Sequence, residues 1–236
     1  MKATVLVPAA GMGRRMGASI NKQYLELAGR PILAHTLELF QQHPAIDSIY
    51  PILPADEISY CQTHIVDRYA FSKVRRLVAG GAERQDSVWN GLRALAEDGE
   101  VGAASIVLIH DGARPLFDTA LLPQLIETAQ RQGGCVVGVP VKDTIKQVDG
   151  GRISNTPARQ RLWQAQTPQA FRFGLLMRAN LCAERDGFRG SDDASLVERL
   201  GQPPLMLEGS YRNLKLTTPE DLLMAAALLA APEDTP

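Results

Sequence analysis

The 236-residue chain has only three cysteines, Cys61, Cys135 and Cys182. They are odd in number, widely spaced and without a CxxC pair, so neither a disulfide framework nor a zinc site is indicated, and they read as reduced structural thiols. Long apolar runs are missing too: the longest, Leu222 to Ala231, falls well short of the roughly 18 residues that mark a membrane span. At the start of the chain, MKATVLVPAAG holds a short apolar stretch that stops at Pro8 and runs into a Gly/Arg loop, unlike a secretory signal. Arg14-Arg15 follows that stretch instead of preceding it, unlike an export signal. A cytoplasmic protein without membrane contact is expected. An excess of one charge is also lacking, with 25 Lys and Arg against 26 Asp and Glu. No nucleic-acid-binding face is evident, and an anionic ligand must be held by local clusters of cations. The histidines, His35, His43, His64 and His110, show no metal-ligand spacing and no Ser or Cys partner motif, which leaves them core or surface roles. Trp89 and Trp163 are expected to pack.

What the chain does have is an ordinary globular supply of core residues, 45% hydrophobic beside 22% charged. Its length suits one domain over residues 1–236. Apolar runs at Thr4 to Val7, Ile49 to Leu53, Val74 to Val78, Ile106 to Ile109 and Val136 to Val141 read as buried strands. Between them lie helical patterns, Ile32, Leu33, Leu37 and Phe40 after Pro31, and Val88, Trp89, Leu92 and Leu95 after GGAERQDS. This alternation predicts an α/β layered sheet with ligands outside the carboxyl ends of the strands.

The pattern changes after Val141, where Asp149-Gly150-Gly151 separates two polar, partly alternating arms, as in a β-hairpin. Residues 142–162 carry too few apolar side chains for a core of their own. The hairpin is therefore expected to project and pack against another subunit, with a merely solvated hairpin as the alternative. Near the end, Asn213 to Thr217 is strand-like, and Thr218 with Pro219 opens a final helix as N-cap and first helical residue. Pro232 to Pro236 read as a frayed tail.

The first chemistry lies after the first strand. In PAAGMGRRMG the small residues Ala9, Ala10, Gly11 and Gly13 form a turn whose backbone amides can approach a ligand closely, an arrangement that suits phosphates. The glycine spacing departs from a dinucleotide fingerprint, and a Walker GKS or GKT is absent. Arg14, Arg15 and Lys22 share this loop, and a triphosphate needs such cations, both for binding and for charge that develops during transfer. Arg14 reads equally as a solvated charge.

Taken in order, PAAGMGRRMG, NKQY, GGAERQDSV, HDGARP, KDTIK, LWQAQTPQAF, SDDAS and NLKLT make the chain resemble the 2-C-methyl-D-erythritol 4-phosphate cytidylyltransferases over nearly its whole length. The resemblance implies a Rossmann-like nucleotidyltransferase fold with a mostly parallel central sheet, and a homodimer in which each projecting arm completes the partner's site. It implies transfer of a cytidylyl group from CTP to 2-C-methyl-D-erythritol 4-phosphate, with pyrophosphate released, in the non-mevalonate route to isoprenoid precursors. Arg15 and Lys22 fall at the catalytic positions. CTP would be held by Ala9, Ala10, Gly11, Gly81, Ala82 and Ser87, largely through backbone groups, with Asp111 and Gly112. The acceptor would meet Arg114, Thr144, Arg159 and Lys215, of which Thr144 and Arg159 come from the partner's arm.

Magnesium or a similar divalent cation is the implied cofactor, held by triphosphate oxygens and touched by Asp111 directly or through water. Asp111 also reads as a strand-end cap. Ala82 stands where some relatives carry an acid, so a side-chain contact from there to the ribose is not expected. Glu83 and Arg84 read as the start of a helix with no ligand assigned, while Ser191 and Asp192 stay open between a site role and a helix start. Lys146 and Arg161 read as surface charges. The chain ends soon after its final helix, so no fused cyclase and a single activity are expected. Two other readings remain: a cytidylyltransferase for a different polyol phosphate such as ribitol 5-phosphate, and a catalytically silent nucleotide-binding module.

Overall fold

A computed structural model describes residues 2–11, 21–99 and 101–231. Arg14, Arg15, Gly13 and the tail from Pro232 lie outside the described residues. In chain order the elements are β1 (Ala3–Pro8), the short pair β2 (Glu26–Leu27) and β3 (Arg30–Pro31), α1 (Ile32–Gln41), β4 (Ile46–Leu53), the single turn α2 (Ile58–Cys61), and β5 (Val78–Ala79). There follow α3 (Arg84–Asp98), β6 (Ile106–Ile109), α4 (Leu122–Gln132), β7 (Gly134–Pro140), β8 (Gln147–Asp149), β9 (Arg152–Asn155) and β10 (Trp163–Arg172). The chain closes with α5 (Phe173–Arg185), α6 (Asp193–Glu198), β11 (Leu205–Glu208) and α7 (Pro219–Ala230).

One seven-stranded sheet runs in the order β11-β7-β10-β6-β1-β4-β5. Every adjacent pair in it is parallel except those made by β10, which runs antiparallel to both β6 and β7. Helices on both faces explain why the strands read as unbroken apolar runs and not as alternating ones. Along β1, Val5 and Val7 point into a core shared with Leu33, Leu37 and Phe40 of α1 and with Leu122 and Leu125 of α4. Leu6 points the other way, onto Val88 and Leu92 of α3 and Leu176 of α5. The first loop and the HDGARP loop both leave this sheet at the carboxyl ends of neighbouring parallel strands.

Two expected strands came out differently. Residues Val74 to Val78 give only an isolated bridge from Val74 to Ile49 and the two-residue β5. Arg75 and Arg76 are adjacent and both exposed, which a period-two strand with one buried face cannot accommodate. Asn213 to Thr217 joins no strand of the sheet; Leu216 is buried and its N–H donates to the Ala113 carbonyl at 2.9 Å. The final helix begins as read, with Thr218 and Asp221 forming a reciprocal cap and Pro219 as its first residue. Cys61 and Cys135 are buried, Cys182 is half-buried, and all three are free. Trp89 is half-buried, whereas Trp163, at the exposed root of β10, packs less than expected.

The hairpin forms where the sequence places it. β8 and β9 pair antiparallel in a two-stranded sheet of their own. Gly150 and Gly151 turn the chain with φ of +53° and +79°, the pair of positive angles that a two-residue hairpin loop demands and that glycine adopts without strain. Val148 and Ile153 remain 56% and 63% exposed, so the arm stands clear of the core. No helix among the described residues is long and apolar enough to cross a membrane.

Candidate active site

A cavity of about 250 Å³ opens at the carboxyl edge of the sheet. Its walls are Pro8, Ala10 and Gly11 after β1, Lys22 and Gln23, the segment Gly81 to Arg84 with Ser87 at the head of α3, and Asp111, Ala113 and Lys215. Of the residues singled out from the sequence, Ala10, Gly11, Lys22, Gly81, Ala82, Ser87, Asp111 and Lys215 are thus gathered in one place. Ala9 and Gly112 lie just behind the wall: the Gly112 N–H donates to the Pro8 carbonyl at 3.0 Å. Arg114 sits in the adjoining cavity, which shares Arg84, Asp111 and Lys215 with the first. Thr144 and Arg159 belong to the arm and are exposed, outside this cavity of their own chain. The Arg159 guanidinium donates to the Lys142 carbonyl at 2.7 Å.

The two loops approach so closely that glycine is required at Gly112. A Cβ there would stand 2.8 Å from the Ala9 Cβ and 3.4 Å from the Pro8 carbonyl oxygen, neither of which is the mobile end of a side chain. Gly112→Ala should therefore force the loops apart and cost about 1–3 kcal/mol of stability, as overpacking of a tight contact does. Urea unfolding checks it.

Behind the cavity, polar groups hold the HDGARP loop. His110 is fully buried between the Phe40 and Phe117 rings. Its Nε2 lies 2.9 Å from the Arg114 carbonyl, which can only accept, so Nε2 carries the proton. Nδ1 then accepts from the Thr167 hydroxyl at 3.2 Å, while the Thr167 Oγ1 accepts the Asp111 N–H at 3.0 Å. Thr167 lies where β10 departs from its pairing register with β7, between Ala165 and Gln169. Asn213 ties the last wall in: its Nδ2 donates to the Thr167 carbonyl at 2.9 Å and the Gln166 Oε1 at 3.0 Å, and its own carbonyl accepts from Arg114 Nη1 at 2.7 Å.

Burial pushes the His110 imidazole down from its ordinary 6.5 to about 4. An unfolded chain takes up a proton at this position as pH falls through 6.5, whereas the folded chain does not until near 4. Stability present above pH 6.5 is therefore lost on acidification across that window, by on the order of 3 kcal/mol. Urea unfolding from pH 7 to pH 4.5 should show this slope in the native sequence and a weaker one in His110→Gln. His43, lowered by burial and by Lys73, contributes equally to both chains.

Asp111 is the electrostatic centre. Its Oδ2 lies 2.9 Å from Lys215 Nζ and 3.5 Å from Arg114 Nε, and its Oδ1 lies 3.3 Å from Arg84 Nε. Burial by itself would raise this carboxyl, but Arg84, then Lys215 and Arg114, hold it well below the usual carboxylate range. It is ionised at any working pH. Among the described residues no group of three or more His, Cys, Asp or Glu is placed to hold a metal ion.

Several participants were not legible as such. Glu83 does start α3, sharing a reciprocal cap with Asp86, but Arg84 is more than a helix flank. Asp192 is the N-cap of α6 and accepts from Gln169 Nε2 at 2.8 Å, and with Ser191 it also lines the second cavity, so it starts a helix at the edge of the site. Gln23, Thr167, Asn213 and the wholly buried Asp193 fall within the quoted motifs but were assigned no role there, because their roles arise from partners far away along the chain.

Small-residue loops and cations converging at the carboxyl edge of a mostly parallel sheet define an α/β protein built to handle a nucleotide's phosphates. The 2-C-methyl-D-erythritol 4-phosphate cytidylyltransferase family model matches residues 3–231. The protein of that name from Syntrophotalea carbinolica is 58% identical over 234 residues, 99% of each chain. Its counterpart from Geotalea uraniireducens is 55% identical over 229 residues, 97% of each. The crystal structure of the Thermus thermophilus enzyme, 33% identical, superposes with a TM-score of 0.78 over 98% of this chain and all of that one. The chain belongs to the 2-C-methyl-D-erythritol 4-phosphate cytidylyltransferase family and is a nucleotidyltransferase enzyme.

Proposed function

We infer that the chain transfers the cytidylyl group of CTP to 2-C-methyl-D-erythritol 4-phosphate, releasing pyrophosphate, in the non-mevalonate route to isoprenoid precursors. The observation that carries the reading is the convergence, in one cavity, of Lys22 and Lys215 with the small residues Ala10, Gly11, Gly81 and Ala82. Small residues let the backbone approach the nucleotide, while two lysines on the wall of one cavity supply positive charge for the phosphates that must meet there.

An oxygen of the acceptor phosphate attacks the α-phosphorus of CTP, a new phosphorus–oxygen bond forms, and the bond to the β-phosphate bridging oxygen breaks. The electron pair leaves with pyrophosphate. No side-chain base is required, because a phosphate monoester with a second pKa of about 6 is already mostly dianionic at neutral pH. Lys22, with Arg15, stabilises charge gathering on the α-phosphate and the leaving group. Ala9, Ala10, Gly11, Gly81, Ala82, Ser87 and Gly112 shape the nucleotide half. Arg114 and Lys215 hold the attacking phosphate together with Thr144 and Arg159 of the partner's arm.

Magnesium would be held mainly by phosphate oxygens, with Asp111, whose own oxygens are paired with Arg84 and Lys215, reaching it through water. Bound there, it would neutralise triphosphate charge. The arm, residues 142–162, serves a homodimer: covering Val148 and Ile153 would contribute roughly 1–2 kcal/mol each, which solvent exposure forfeits. A cytoplasmic location agrees with the phosphorylated substrates.

Pyrophosphate release from purified protein with CTP and magnesium tests the reading, comparing 2-C-methyl-D-erythritol 4-phosphate, ribitol 5-phosphate and no acceptor. Release only with the first supports it. Release only with ribitol phosphate keeps the mechanism and changes the acceptor, and CTP binding without release leaves a silent module.

A further inference from the structure

Arg84 lines the CTP cavity, yet its guanidinium is taken up by two carboxylates. Its Nε lies 3.3 Å from Asp111 Oδ1 and its Nη1 lies 2.8 Å from Asp193 Oδ2. Asp193 is the first residue of α6, and its side chain is only 2% exposed. One planar group therefore joins the head of α3, the end of β6 and the head of α6. A guanidinium can do this because its donors are fixed in a fork that serves two acceptors at once, which a point-charge ammonium cannot.

The consequence falls on Asp111. With Oδ1 held by Arg84, its Oδ2 faces Lys215 at 2.9 Å and Arg114 at 3.5 Å. Were Oδ1 released, the carboxylate could turn and offer both oxygens, instead of Oδ2 alone, to these two cations, tightening its hold on them in competition with an incoming phosphate. Arg114 Nε is buried, and its long ion pair with Asp111 is not completed as a hydrogen bond. A buried N–H of this kind costs stability unless a ligand oxygen completes it.

We propose that Arg84, anchored by Asp193, is a positioning residue for the acceptor phosphate: by fixing Asp111 it keeps Lys215 and Arg114 aimed at the acceptor. This rests on the reading that Lys215 contacts the acceptor phosphate. Arg84 acts on the acceptor through Asp111.

The test is a double-mutant cycle read by the acceptor KM, the CTP KM and kcat. Arg84→Gln should raise the acceptor KM by about tenfold or more, with the CTP KM shifted less than about threefold, since a displacement of the order of an ångström is enough to weaken a positioned contact. In a Lys215→Ala background the same change should add little, because the two residues act through one another. Arg84→Gln leaves Asp193 buried and uncompensated, so the doubly neutral Arg84→Gln/Asp193→Asn chain is measured beside it, with circular dichroism and thermal melting to verify folding. It should show the same acceptor defect. A folded variant of either kind with an unchanged acceptor KM, or one whose CTP KM rises as much as the acceptor's, overturns the proposal. So does full additivity with Lys215→Ala. If Lys215→Ala itself leaves the acceptor KM unchanged, the underlying reading fails, and the proposal with it.

Discussion

Lys22→Ala is expected to lower turnover by about a hundred- to a thousandfold while changing CTP affinity less than about tenfold. Lys22 is half-buried at the start of a short 3-10 turn, Lys22–Tyr24, and its backbone carbonyl accepts the Leu25 N–H at 3.2 Å. The ammonium is therefore presented from a formed turn, beside Ala10 and Gly11 on the cavity wall. In the ground state CTP's charge is spread over three phosphates and shared among several contacts, so losing one cation affects binding modestly. As the bond to pyrophosphate breaks, negative charge concentrates on the α-phosphate and bridging oxygens, and a preoriented cation there is worth more than it was before. Single-turnover rates with saturating CTP, set beside equilibrium CTP binding, separate the two effects. A drop in affinity that accounts for the whole loss of kcat/KM would make Lys22 a simple binding residue. Arg15→Ala carries the same expectation from the same loop.

Much of the architecture was legible because the physics that makes it is local. Thr4 to Val7 and Ile106 to Ile109 are apolar runs bounded by turn residues, and they form adjacent parallel strands. Asp149-Gly150-Gly151 permits little besides a tight turn, and the arm follows. Failures occurred where tertiary partners decide. Asn213 to Thr217 reads as a strand, but it buries Asn213 and Leu216, three positions apart, and leaves Lys215 open, and its hydrogen bonds go to the HDGARP loop and to β10 instead of to a neighbouring strand. Arg84 illustrates the same limit within the site. GGAERQDSV reads as a helix start, which it is, and nothing in that string reveals a carboxylate 109 positions away. The polar network through His110, Thr167 and Asn213 was likewise hidden, since each of these residues is unremarkable until the three segments meet.

Mixing two inactive chains, Lys22→Ala and Arg159→Ala, should restore activity if the arm serves the neighbouring subunit. Within one chain Arg159 is exposed, lies outside the cavity and donates to the Lys142 carbonyl at the root of its own arm. Arm exchange would make each site from one chain's cavity and the other chain's arm. In a heterodimer, the cavity of the Lys22→Ala chain then meets the Arg159→Ala arm and is doubly defective. The other cavity retains Lys22 and receives an intact Arg159, so it is native. Random re-association makes about half of all dimers mixed, each with one working site, giving roughly a quarter of the native activity per chain. The parent homodimers carry the same defect in both sites and supply only background. Recovery should scale with the fraction of mixed dimers, measured by native mass spectrometry on differently tagged chains. Verified heterodimers without recovery would place Arg159 and Lys22 of one chain in the same site and assign the arm a purely structural part.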